Sequence, residues 1–216
     1  MPLVAWPLAF VAATFVHLVL NVAGATPWDS VTKCLLAPLL AGWVLAAGGP
    51  RIVALALLFC VVGDLLLELT PSDTWFLPGM AAFALAHICF IAFFASRGAF
   101  DRLADHPLVG AAYLAAAVAL VVWLWDGLEP GLRVPVAVYA LLLTTTAVCA
   151  WASGPVAAAG GLLFLVSDAL IALDVAGRWT PRPEGFWVML TYALAIGLLT
   201  AGVLGSRADA RVPARA

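Results

Sequence analysis

A chain of 216 residues that is 65% hydrophobic and 10% charged departs from soluble domains, which are about 45–50% apolar and about 25% charged. Twelve acids and ten bases leave too little polar surface for a water-soluble globule. The composition therefore excludes a cytosolic enzyme, a nucleic-acid binder and a disordered chain. A mean hydropathy of +1.11 points to lipid as the solvent, and at about 20 residues per span the length accommodates about eight helices.

Eight apolar stretches are predicted as spans, at 3–24, 31–48, 51–70, 76–97, 107–125, 133–151, 155–177 and 185–205. Gly, Pro and charge gather in the breaks between them. The breaks are short, so the expected fold is all-α. It is a polytopic bundle of eight transmembrane helices forming one domain over 1–206, followed by a short polar tail at 207–216. No cationic segment precedes the first stretch, which predicts a retained helix rather than a cleaved signal peptide.

Taken in chain order, the polar residues inside these stretches are few. His17 and Asn21 share a face of the first at i,i+4. Lys33, the only lysine, opens the second. Asp64 and Glu68 lie in the third and His87 in the fourth. Ser167, Asp168 and Asp174 lie in the seventh, and Tyr192 is early in the eighth. Cys34, Cys60, Cys89 and Cys149 all sit in apolar runs without paired spacing, as small buried hydrophobes do. Trp28, Trp75, Trp125, Trp179 and Trp187 fall near helix ends, where interfacial anchors belong.

Eight spans place both termini on one side of the membrane. That side carries Arg51, Arg97, Arg102, Arg207, Arg211 and Arg215; the other carries Lys33, Arg133, Arg178 and Arg182. Under the positive-inside rule the termini are expected in the cytoplasm. The Ala- and Arg-rich composition points to a bacterial inner membrane.

An ionisable side chain within a span is costly unless it is paired or hydrated, and so marks function by default. Asp64 follows Arg51 by thirteen residues and Asp168 follows Pro155 by thirteen. At about 1.5 Å per residue both carboxylates lie about 20 Å along helices that run the same way. Lys33, Asn21 and Tyr192 fall in the same half of the membrane, which predicts one polar pocket. Leu57–Asp64 also echoes Leu162–Asp168 with one residue of slippage. That echo is either an internal repeat of four helices per half or a chance likeness of Leu-rich helices.

Plainer readings stand beside these. Glu68 and Asp174 lie near helix ends, where water solvates them. Lys33 can snorkel to the interface or pair with an Asp as a structural ion pair. His87 can be a helix-packing hydrogen bonder. Gly160-Gly161 offers a small-residue surface for packing within or between chains, which leaves the oligomeric state open.

The Thr32-Lys33-Cys34-Leu35-Leu36-Ala37-Pro38 run resembles the Thr-Lys-Pro-Leu-Leu-x-Pro signature of the YhhN-like family, the lysoplasmalogenases. Gly63-Asp64, Phe83–Phe90 and Gly161–Ala172 fit that family in the same order. Cys34 stands where the family has Pro, and Tyr192-Ala193-Leu194-Ala195 lacks a following Gln. The resemblance implies an eight-helix membrane hydrolase that cleaves the vinyl ether bond of a lysoplasmalogen. The products are a fatty aldehyde and glycerophospho-ethanolamine or -choline, and no metal or other cofactor is implied. The chemistry suits a carboxyl pair. Protonating the β-carbon creates an oxocarbenium ion that water attacks, which needs one protonated acid and one carboxylate, as in glycosidases. Asp64 and Asp168 are the expected catalytic pair; Lys33, His87, Tyr192, Asn21, Ser167 and Glu68 are the expected substrate-binding groups.

Two rival chemistries share some of these residues. A zinc hydrolase needs about three His plus Asp, whereas only His17 and His87 lie at membrane depth. A proton-coupled transporter or channel would use the same buried carboxylates.

Overall fold

The computed structural model describes residues 2–69 and 75–209. The expected break at Pro71 and the tail beyond residue 209 lie outside the described residues. Among the described residues the chain is helical and holds no strand. Its helices are α1 (Ala5–Ala23), α2 (Trp28–Ala46), α3 (Arg51–Glu68), α4 (Phe76–Ser96), α5 (Ala99–Ala104), α6 (Pro107–Leu124), α7 (Pro130–Trp151), α8 (Pro155–Val175) and α9 (Phe186–Asp209). All except α3 and the short α5 are long and apolar enough to cross a membrane, seven in all. α3 has comparable length but carries Arg51, Asp64 and Glu68.

The helix boundaries follow local chemistry. Pro107, Pro130 and Pro155 open α6, α7 and α8, where a missing N–H costs nothing and the fixed φ suits the first turn. Gly24 ends α1 at φ 63°, a left-handed conformation that a residue with a Cβ resists.

Four boundaries differ from the sequence expectation by three residues or more, among them α7, which starts at Pro130 rather than residue 133. α2 starts at Trp28 rather than residue 31, with Pro27 before it and Asp29 in its first turn favouring the helix dipole. Lys33 is thus more than a turn inside the helix instead of at its mouth. The expected loop at 97–106 contains α5, set off by Gly98 at φ 75°. α9 continues past residue 205 to Asp209.

Six helices close a ring in the order α2, α3, α4, α7, α8, α9, with α9 returning to α2. α1 packs outside it against α2 and α9, and α6 packs outside it against α7. The core fills the ring with Leu36, Leu40, Leu57, Phe90, Phe164, Ile196 and Leu199. Outward faces are apolar too: Leu8, Val11, Phe15, Val19 and Val22 form an exposed stripe along α1 at helical spacing. Water would not tolerate that surface, whereas lipid covers it. The chain is an integral membrane protein. Trp28, Trp75, Trp125, Trp179 and Trp187 are all exposed, as interfacial anchoring requires.

Inside lipid, close approach rather than hydrophobic burial drives helix packing. Gly160 and Gly161 do this work within the chain. A Cβ on Gly160 would sit 2.7 Å from the Leu199 nitrogen of α9, and one on Gly161 would sit 2.9 Å from Ala147 Cα of α7.

Candidate active site

α3 and α8 run in parallel within the ring, and each presents its aspartate to one internal cavity of about 90 Å³. Asp64, Asp168, Lys33, Ser167 and Tyr192 all line it, together with Tyr139, Phe83, Met80 and aliphatic side chains. The two carboxylates, each thirteen residues into its helix, thus line one cavity. Asp64 is buried and accepts a hydrogen bond from the Tyr192 hydroxyl at 2.8 Å. Asp168 is partly exposed to the cavity and is hydrogen-bonded through Oδ2 to the Tyr139 hydroxyl. Phe83 packs edge-on against Tyr192, as does Phe164, and Gly63 makes room for Phe83, whose ring would lie 2.5 Å from any Cβ there.

A second, larger cavity of about 320 Å³ adjoins the first and shares Lys33, Leu67 and Phe76 with it. It gathers the ends of α1, α3 and α8, the starts of α2 and α4, and the loop before α9, all on one face of the bundle. Asn21, His17, Asp29, Ser30, Glu68, Asp174 and Glu184 make it the more polar of the two. Lys33 Nζ pairs here with Glu68 Oε1 at 2.8 Å, and the Ser30 hydroxyl donates to Glu68 Oε2 at 2.5 Å. Lys33 is therefore paired with Glu68, one helical turn beyond Asp64. Its side chain is half-buried, 15% exposed. His17 Nδ1 bonds the Asp29 carbonyl and Thr32 Oγ1, while among the described residues its Nε2 and Asn21 Oδ1 find no partner. Both line this cavity.

On the opposite flank an apolar slot opens between α6, α7 and α8. Ala117, Leu120, Val121 and Leu124 of α6 form one wall, and Tyr139, Ala169 and Asp168 lie on the others. Asp168 thus borders both the inner cavity and the slot.

Two of the expected ligand-contacting residues sit differently. His87 is fully buried and does not line any of these cavities. It stands behind Tyr139, with Nε2 at 3.3 Å from the Tyr139 hydroxyl and Nδ1 at 3.2 Å from Thr146 Oγ1. Ser167 touches the cavity but donates its hydroxyl to the Val188 carbonyl at 3.1 Å, clamping α8 to α9. Among the described residues no group of three or more His, Cys, Asp or Glu side chains is arranged to hold a metal.

Sequence reasoning missed Tyr139 and Thr146. A signal existed: they lie seven residues apart, two turns on one face of α7.

The chain matches the YhhN family over residues 28–203. It belongs to that family. It is 33% identical over 181 residues to the human protein named lysoplasmalogenase TMEM86B, covering 82% of this chain and 76% of the human one. It is 36% identical over 166 residues to the lysoplasmalogenase of Mycobacterium bovis, covering 70% of this chain and 60% of that protein. A rat lysoplasmalogenase TMEM86B aligns at 31% over 93% of this chain and 84% of its own length. No solved structure matches.

Proposed function

We propose that this YhhN-family chain is a lysoplasmalogenase that hydrolyses the vinyl ether bond with Asp64 and Asp168 as an acid–base pair. The observation that carries the reading is the order of the three compartments. The outer cavity, the inner cavity lined by both carboxylates and the apolar slot adjoin in that order through shared residues, Lys33 between the first two and Asp168 between the last two, matching headgroup, vinyl ether and hydrocarbon tail. Lys33 stands where the outer and inner cavities meet, a cation placed to hold a lysolipid phosphate. Family membership and the names of the human and mycobacterial relatives support the same substrate class.

The steps balance as follows. One aspartic acid gives its proton to the vinyl β-carbon, and the C=C electron pair forms the new C–H bond, leaving an oxocarbenium ion at the ether carbon. The other aspartate takes a proton from water as the water oxygen bonds to that carbon, giving a hemiacetal. That proton passes to the ether oxygen as the C–O bond breaks, the first carboxylate recovers a proton from the hemiacetal hydroxyl, and aldehyde and alcohol leave. The two carboxyls finish as they began, so the cycle uses side chains and water alone.

In the same reading all eight long helices span the membrane and the termini face the cytoplasm of a bacterial cell. The polar cavity then opens toward the opposite leaflet. A four-plus-four repeat is supported by the way α1 and α6 both pack outside the ring, on α2 and α7. Phe83-Ala84-Leu85-Ala86 of α4 also echoes Tyr192-Ala193-Leu194-Ala195 of α9.

The test is aldehyde release from a lysoplasmalogen by the purified protein in detergent, with and without a chelator. Release insensitive to the chelator is expected. No release would leave the carboxylates to a transporter, and release abolished by the chelator would revive a metal hydrolase.

A further inference from the structure

Behind the inner cavity runs a buried chain of polar groups that ends without reaching water. Asp168 Oδ2 meets the Tyr139 hydroxyl, which meets His87 Nε2; His87 Nδ1 meets Thr146 Oγ1, and Thr146 Oγ1 meets the Leu142 carbonyl at 3.1 Å. The direction of each bond in such a chain constrains the next. The Leu142 carbonyl can only accept, so Thr146 gives it its single hydroxyl proton. Thr146 oxygen is then an acceptor, and His87 must donate to it from Nδ1. A neutral imidazole protonated at Nδ1 has a lone pair at Nε2, so Tyr139 donates to His87. The Tyr139 hydroxyl has one proton: given to Asp168 Oδ2, with which it is in hydrogen-bond contact, it would leave the His87 Nε2 lone pair without a donor, whereas given to His87 it leaves the Tyr139 oxygen to accept from a protonated Asp168 carboxyl.

The other arrangement that satisfies every bond puts the Asp168 proton on His87. That would place an imidazolium and a carboxylate on either side of Tyr139, with His87 at 0% exposure against the Phe164 ring. Separated charges in such a setting cost far more than a neutral chain.

Position gives a second, independent argument. In a vinyl ether the carbon that takes the proton lies on the tail side, and the carbon that water attacks is bonded to the ether oxygen on the headgroup side. Asp168 borders the apolar slot as well as the cavity, whereas Asp64 does not border the slot. The groups facing Asp168 are Tyr139 from α7, and across the cavity Asp64 from α3, Lys33 from α2 and Tyr192 from α9; α6 offers only apolar side chains.

We infer that Asp168 is the proton donor of the pair and stands protonated in the resting protein, held so by the Tyr139–His87–Thr146 chain, while Asp64 is its ionised partner. This rests on the hydrolase reading above. His87 and Thr146 do not line the cavity; they are positioning residues acting through Tyr139.

Infrared difference spectroscopy of the purified full-length protein near neutral pH tests the inference without relying on turnover. The C=O stretching band of a protonated carboxyl is expected in the unmodified protein, lost in Asp168→Asn and retained in Asp64→Asn. His87→Leu is expected to diminish the band, and His87→Gln to keep it, because a Gln amide can accept from Tyr139 and donate to Thr146. A band that survives Asp168→Asn and vanishes in Asp64→Asn would overturn the assignment. A band unchanged in His87→Leu would overturn the role of the chain. Aldehyde release measured on the same samples separates the levels: no release by the unmodified protein sinks the hydrolase reading, undiminished release in Asp168→Asn sinks the acid–base pair, and a reversed band with both Asn variants inactive sinks only the assignment of roles.

Discussion

The two aspartates occupy matching places in the ring yet live in different company. Asp64 is buried, accepts a bond from Tyr192 and shares its cavity wall with Lys33. Asp168 is partly open to the cavity and the slot, and meets Tyr139, behind which lies a neutral chain of hydroxyls and an imidazole. Two like carboxyls placed by like helices can thus be given opposite tasks by their neighbours. Lysozyme-type glycosidases divide their acid and carboxylate by environment in the same way.

The largest way to break this comparison is to remove either carboxyl. Asp64→Asn and Asp168→Asn should each lower aldehyde release by about 10²–10⁴-fold, the contribution of one positioned acid or base. The double variant should be little worse than either single one, because the pair acts as a unit. Comparable loss in both singles would join the two halves; loss in one alone would divide them.

A smaller effect is expected at the boundary between the cavities. Lys33→Met should cut kcat/KM by about 10–100-fold, the range for losing a charge-assisted hydrogen bond of about 1.5–3 kcal/mol. Most of the change should appear in KM if Lys33 holds the phosphate. Glu68→Gln, which frees Lys33 from its partner, should do less. On the Asp64 side, Tyr192→Phe should lower kcat by roughly tenfold, as expected for about 1–2 kcal/mol from one hydrogen bond to a carboxylate. The smallest effect belongs to the slot: Ala169→Trp should slow long-chain substrates and leave short-chain ones nearly unchanged, read as a ratio of kcat/KM values.

How much of this was legible in the sequence depended on what each signal measured. Helix period and breaks located α1, α4, α6, α7 and α8 to within a few residues, because Pro at a first turn and Gly at a last one act locally. That Asp64 and Asp168 share one cavity was also legible, since rise per residue relates positions along two helices. Which residues faced one another was not. Nothing in the Lys33 segment says that its partner is Glu68 rather than Asp64, because that is decided by the rotation of α2 against α3. His87 looked like a ligand-contacting group since depth alone cannot tell a cavity wall from the layer behind it. The short α5 escaped notice because six residues carry too little periodicity to register.

The central claim is that a carboxylic acid in this cavity protonates the vinyl β-carbon. The most direct measurement is to run the purified protein on a lysoplasmalogen in D2O and trap the aldehyde by reduction as it forms. The account predicts one deuterium on the carbon next to the former carbonyl. Aldehyde formed without that deuterium, or no aldehyde at all, would contradict it.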